Sequence, residues 1–375
     1  FALMGSVILV KPDLDMCVGD FISSFFQREA VQARILMLSG LAALGRFLFH
    51  KPKNYWVLGG AAIVCLCLLL TLTRQAWLGF FIGTVFLVFV WNKKYLFILP
   101  LLLAGLLLFA PTFITDRMQS LTNMNDLTFQ SRMFLWKGGW EIFKDHPLTG
   151  CGFKCVDIVH SQYPDPSGQI AHFRGMHNNA LQLLIDTGIV GLGLWVFIWV
   201  AYFYEIFKRW RVLTEDTSQS NTKSILLASF APVLGFLTGG FFETSFYDSE
   251  MVMLLFFIMG ISLAHVKKAP LPRKSLISKF RILQVDKIIQ PLDKVIQVSL
   301  YTFVAFSMFS ISITQISFSI GVLAWLLKVH LTKSWKKIHG TPVGLPILCF
   351  CLASILAVIT SVDFETSLKS LKKLF

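Results

Sequence analysis

Residues 54–91 read NYWVLGGAAIVCLCLLLTLTRQAWLGFFIGTVFLVFVW. Two apolar runs, Asn54–Leu72 and Trp77–Trp91, flank a tight turn at Thr73–Ala76 whose one charge is Arg74. A bilayer core needs about 20 mostly apolar residues per helix, and backbone inside it must be helical to satisfy its own polar groups. The stretch therefore reads as a helical hairpin across a membrane. The same ruler gives further spans near Ala30–Phe49, Tyr95–Ile114, Gly188–Phe207, Lys223–Gly240, Glu250–Val266, Ile296–Ile313, Gln315–Leu327 and Gly344–Val362. Residues Phe1–Val10 read as the end of one more span. The fold class is an all-α polytopic membrane protein with about ten transmembrane helices.

Composition agrees. Apolar residues make up 55% of the chain, charged residues 15%, and mean hydropathy is +0.66. Soluble domains sit near 25% charged. Thirty-six Phe and ten Trp suit a lipid-facing surface with aromatic belts. The net charge of +13 lies between apolar runs rather than in one patch, which marks membrane topology and argues against nucleic acid. The chain opens at Phe1 inside an apolar run with no cleavable leader pattern, and both ends read as cuts.

Lys and Arg orient the spans. Basic connections are Lys51 with Lys53, Lys93 with Lys94, and Lys208 with Arg209 and Arg211. The stretch Lys267–Lys294 follows, with Arg273, Lys274, Lys279, Arg281 and Lys287, and then Lys328, Lys333, Lys336 and Lys337. An even number of spans separates each pair, so all of these connections fall on one side, the cytoplasm. The other face, the periplasm of a bacterium, then holds Lys11–Glu29, the Arg74 turn, the loop Thr115–Met176 and the turn Phe241–Ser249. In the long loop Met133, Trp136, Trp140 and Phe143 recur at helical spacing, which predicts a helix lying in the interface with that face down.

Three groups that could carry chemistry fall on this outer face. Arg74 stands at the junction of two spans, where snorkelling to headgroups is the plain alternative. Arg132 opens the loop helix, and a contact to ordinary phospholipid phosphate competes there. His177 stands beside Asn178 and Asn179 where the loop meets a span. Two guanidinium groups can hold a diphosphate bidentately and stabilise the charge that grows as a glycosyl–phosphate bond breaks. A neutral imidazole can take the proton of an attacking hydroxyl. Asn178 and Trp136 are further candidates for substrate binding. No metal or other cofactor is needed. Asp248 and Glu250 could touch a sugar, but capping of the next helix is the simpler reading. Cys151 and Cys155, with His160 and His172 nearby, fit no well-defined zinc spacing, and an oxidised pair stays open. The remaining cysteines sit in apolar runs as packing residues.

Four strings, in this order, resemble the O-antigen ligase and polymerase family of bacterial envelope proteins: LTLTRQAWLG (70–79), RMFLWKGGWEIFKDHPLTG (132–150), HNNALQ with GIVG (177–191), and GFFE with DSE (240–250). The resemblance implies a multispan glycosyltransferase. It moves a glycan from an undecaprenyl-diphosphate-linked donor to lipid A-core or another glycan acceptor, with inversion, among the lipids of the inner membrane. It also implies that Arg74 and Arg132 bind diphosphate and that His177 is catalytic. Residues 1–266, including the loop 115–176, resemble the family's C-terminal two-thirds. Residues 267–295 read as a basic cytoplasmic linker, and 296–375 resemble the family's start, so the family order is permuted or a second partial copy follows. A polymerase extending the lipid-linked glycan is the close alternative. A transporter or flippase would instead bury charge at mid-membrane, and a non-catalytic scaffold would use none of the three groups.

Overall fold

The computed structural model describes residues 12–109, 111–112, 114–115, 127–163, 167–213, 220–264, 279–306, 311–332 and 342–374. The expected span at Phe1–Val10, and Arg273, Lys274, Lys333, Lys336 and Lys337, lie outside those residues. Every regular element among the described residues is helical. The helices are α1 (Pro12–Phe49), α2 (Tyr55–Leu70), α3 (Arg74–Trp91), α4 (Ile98–Phe109), α5 (Leu127–Asp145) and α6 (Asn179–Val212). They continue with α7 (Ser220–Gly239), α8 (Ser249–Ala264), α9 (Lys279–Phe306), α10 (Ile311–Leu331), α11 (Gly344–Ile359) and α12 (Phe364–Leu374).

The hairpin that opened the sequence reading is present. Asn54 starts α2 by accepting the Trp56 amide on its side chain. After Leu70 the chain turns through Leu72 in the left-handed region (φ 52°), and α3 begins at Arg74. The Trp77 indole donates to the Leu68 carbonyl at 2.9 Å, tying the two helices at their turn. Among the described residues five helices are long and apolar enough to cross a membrane: Ala30–Phe49, Arg74–Trp91, Asn179–Val212, Ser220–Gly239 and Ser312–Leu331. Tyr55–Leu70, Ser249–Ala264 and Gly344–Ile359 are apolar but shorter, 16 residues each.

Several span ends differ from the hydropathy reading. The stretch expected as Tyr95–Ile114 is a 3-10 turn, Lys93–Phe97, followed by α4, which ends two residues before Pro111. Proline disfavours helix in the residue before it. The expected spans Ile296–Ile313 and Gln315–Leu327 are parts of α9 and α10, and α9 takes in the second half of the basic connection from Lys279. The helix of the Gly188 span extends back to Asn179 across a kink at Gly188 (φ 65°, ψ −170°). There the Ile189 amide bonds to Pro147 and the Val190 amide to Leu148.

Polar contacts gather at the two ends of the bundle. At the basic end the Arg46 guanidinium bonds Asn221 and Ser224, Lys51 bonds Ser220, Arg209 reaches the carbonyls of Ser262 and Leu263, and Lys328 pairs with Asp293. At the loop end Arg34 pairs with Asp248, Gln75 with Glu243 and Asn179 with Ser245. The loop residues have a small core of their own, formed by Leu135, Ile142, Val156, Val159, Ile170, Met176 and Ile185. Backbone bonds from Cys151 to Ile185 and from Gly152 to Asp186 join the loop to α6. The C-terminal segment docks on it as well: the Val362 amide donates to Cys151 and the Ser367 hydroxyl to the Phe153 carbonyl.

Helices α1, α3 and α7 approach closely through glycine. A Cβ on Gly79 would lie 2.5 Å from the Gly235 carbonyl oxygen and 2.5 Å from the Met37 sulfur, whereas one on Gly59 meets nothing within 4 Å. Gly79→Val should therefore lower stability by about 1–3 kcal/mol or more through overpacking. Gly59→Ala should be neutral or stabilise by roughly 0.5–1 kcal/mol through helix propensity. Melting of the two detergent-solubilised variants measures this, and equal midpoints would contradict the glycine crossing.

Candidate active site at the loop end

The site is organised around the turn between the loop and α6. His177 adopts φ 46°, a left-handed conformation uncommon for a residue with a Cβ. Bonds on both sides hold it there. The Met176 amide donates to the Gln182 side chain at 3.0 Å, and the Met176 carbonyl accepts the Trp136 indole N–H at 2.9 Å. Asn178 caps α6 by accepting the Leu181 amide, and its NH2 donates to the Phe241 carbonyl. Asn179 fixes the facing turn, since its backbone amide donates to Gly240 and its side chain bonds Ser245 and the Phe246 amide. Segments 176–179 and 240–246 are thereby locked together.

That lock brings the His177 Nδ1 to 2.9 Å from Glu243 Oε1. The other oxygen, Oε2, accepts from Gln75 Nε2 at 3.3 Å, and Gln75 follows Arg74 in the first turn of α3. Phe242, on the other side of Glu243, stands 6.0 Å from the Arg132 guanidinium and 6.4 Å from the Trp136 ring. Phe173 meets the His177 imidazole edge-on. Residues expected separately from the sequence are thus drawn to one place: Trp136, Arg132, His177 and Asn178 meet the 241–243 turn, and the helix that Arg74 opens meets it through Gln75.

Three contributors had no assigned role. Glu243 lay inside the quoted GFFE string, and Gln75 beside Arg74. Arg34 pairs with Asp248 at 2.5 Å and is itself buried. Asp248 stands at the cap position before α8, where its backbone carbonyl accepts the Val252 amide, while its carboxylate faces Arg34. On the loop helix Trp136 differs from its expected neighbours Met133 and Trp140. Leu135 and Ile142 are the buried face of the helix, Met133 and Trp140 are about half exposed, and Trp136 turns inward to Met176. Cys151 and Cys155 are bonded to each other as a disulfide, with Cα atoms 5.7 Å apart. His160 bonds the carbonyls of Val156 and Asp157, and no cluster of three or more metal-ligating side chains occurs among the described residues.

Charge separates the two carboxyls. Burial alone would raise Glu243, but the hydrogen bond and charge of His177, with Arg34 and the Thr244 amide, hold it down at about 2. Burial pushes Asp248 up to about 6, Arg34 opposing this and Glu243 and Glu250 adding to it. One guanidinium cannot fully offset three carboxyls at partly dry positions. Because Glu243 stays ionised it can only accept, so the neutral His177 ring carries its proton on Nδ1 and presents a bare Nε2 lone pair.

A carboxyl depressed in the folded state stabilises above its unfolded value, here 4.5, and the gain is lost as pH falls toward 2. Glu243→Gln should therefore cost about 1–3 kcal/mol near neutrality, with the gap to the unsubstituted chain closing between pH 4.5 and 2. Unfolding midpoints across that range test it; a gap that stays constant with pH would exclude the ionised pair.

Residues 59–196 match the family model described as O-Antigen ligase. The matched stretch contains Arg74, Arg132 and His177 and stops short of Glu243. Neither a curated protein nor a solved structure matches the chain. The family match supports a glycosyltransferase-like role in O-antigen assembly. Together with the apolar helices it fits a multi-pass membrane protein acting on glycan and lipid-linked substrates. Residues 59–196, little more than a third of the chain, are thus similar to the O-antigen ligase family.

Proposed function

We propose that the protein is an inverting, metal-independent glycosyltransferase that joins a glycan carried on undecaprenyl diphosphate to a sugar of lipid A-core. It acts at the periplasmic face of the bacterial inner membrane. The observation that carries the proposal is the His177–Glu243 contact at 2.9 Å, with Arg132 beside Phe242 and the Arg74 helix turn tied to the same carboxylate through Gln75.

The acceptor hydroxyl oxygen attacks the anomeric carbon from the face opposite the diphosphate. As the new C–O bond forms, the glycosyl–phosphate C–O bond breaks, and undecaprenyl diphosphate leaves with the bonding electron pair. The hydroxyl proton passes to Nε2 of His177, and the imidazolium that forms is stabilised by Glu243 through Nδ1–H, the logic by which a carboxylate orients a catalytic histidine. Arg74 and Arg132 hold the diphosphate and gain strength as its charge grows. Trp136 and Asn178 shape the sugar side while anchoring the turn. Both arginines and the histidine sit at a membrane boundary, where a lipid-linked diphosphate and a water-borne hydroxyl can meet.

The segment 296–375, which resembles the family's start, belongs to the same bundle in this reading. It reaches the loop through Val362 and Ser367 and packs Phe350 against Phe246, ring centres 6.0 Å apart. A permuted order is compatible with such docking.

Purified protein given a lipid-linked donor should glycosylate lipid A-core. Arg74→Ala, Arg132→Ala and His177→Ala should each abolish transfer while the protein remains membrane-inserted. Glu243→Gln should lower kcat by roughly 10²- to 10⁴-fold. Elongation of the lipid-linked glycan alone would make the protein a polymerase, and normal transfer by all three alanine variants would leave only a scaffold or transporter.

A further inference from the structure

The basic end of the bundle holds a second constellation that the transfer chemistry does not use. Between the last turn of α1 and the start of α2 lies a cavity of about 540 Å³ lined by Arg46, His50 and Lys53 together with Phe47, Tyr55 and Trp56. The helix ends place it at the depth where a span leaves the bilayer. We propose that this cavity binds the phosphate headgroup of an anionic phospholipid.

The volume lies within the range of small-ligand sites. Its three basic groups are close enough to oppose one another. Burial lowers the His50 imidazole and the charges of Arg46 and Lys53 lower it further; burial and Lys51 do the same to Lys53. Among the described residues no carboxylate pairs with Arg46, His50 or Lys53. The groups are nonetheless positioned rather than loose. Arg46 is braced by Asn221 and Ser224, and the Lys53 ammonium donates to the Phe47 and Leu48 carbonyls, which leaves the third of its three protons for a ligand. The buried His50 Nδ1 has no hydrogen-bond partner. An anion would relieve the repulsion among the three basic groups.

The aromatic rim selects a lipid over a free ion. Tyr55 is 72% and Trp56 91% exposed at the first turn of α2, where indole and phenol rings favour the boundary between headgroup and acyl chain. A headgroup phosphate on the cations places the glycerol beside these rings. The same end carries Lys223 over Phe49 and Trp210, and Arg211 over Phe207, so the surrounding surface is basic too.

Native mass spectrometry of the full chain in detergent, titrated with phosphatidylglycerol or phosphatidylcholine, tests the site. Phosphatidylglycerol should be retained in preference. The double variant His50→Gln with Lys53→Gln should bind it about tenfold more weakly, with phosphatidylcholine unchanged. Trp56→Ala removes only an exposed ring, so it reports even if the double variant fails to fold, and it should also weaken retention. Lys328→Gln, at the same end but paired with Asp293, should have no effect. Equal retention of the two lipids, an equal loss in the Lys328 variant, or full displacement of the lipid by millimolar inorganic phosphate would each overturn the assignment.

Discussion

A single carboxylate, Glu243, joins the parts of the site. Its two oxygens reach an imidazole from the loop–α6 turn and an amide from the first turn of α3, and its neighbour Phe242 meets the loop helix. Such a hub holds because the charge is compensated: a carboxylate taken out of water without partners would simply take up a proton. With His177 and Arg34 nearby it stays ionised, and an ionised acceptor dictates which nitrogen of the histidine carries hydrogen. Protein architecture and acid–base chemistry are linked at this one atom pair.

The surrounding fold holds that pair at one end of the helix bundle. Asn178 and Asn179 fasten the histidine turn to the 240–246 turn. Glycine contacts between α3 and α7 bring the two helices that enter the site within backbone reach. The described loop residues have their own small apolar core and meet the kink at Gly188, so this part of the loop packs on the bundle. The far end of the bundle carries cations on aromatic rings instead.

The all-helical fold with apolar helices was legible in the sequence, and Arg74, Arg132 and His177 could be singled out there as candidates, because span length and the placement of charge relative to spans are local properties. The partners were not. Glu243 is 66 positions from His177 and 168 from Gln75, and Asp248 is 214 from Arg34. No periodicity encodes pairings across such distances. Asp248 precedes α8 as a helix cap does, but that its carboxylate reaches Arg34 on another helix could not be read from the sequence. Span ends were misplaced where a proline or a 3-10 turn, not hydropathy, set the boundary, as between Lys93 and Pro111. The Cys151–Cys155 link was compatible with its spacing but required the folded turn to decide it.

In the proposed reaction Glu243 fixes the proton of His177 on Nδ1 and leaves Nε2 as the base. Nitrogen-15 spectra of the histidine rings, assigned with a His177 variant and recorded at a pH where this ring is neutral, observe that directly. A protonated Nδ1 and an unprotonated Nε2 are expected, reverting to a tautomer mixture in Glu243→Gln. A neutral ring protonated on Nε2, unchanged by that substitution, would contradict that assignment.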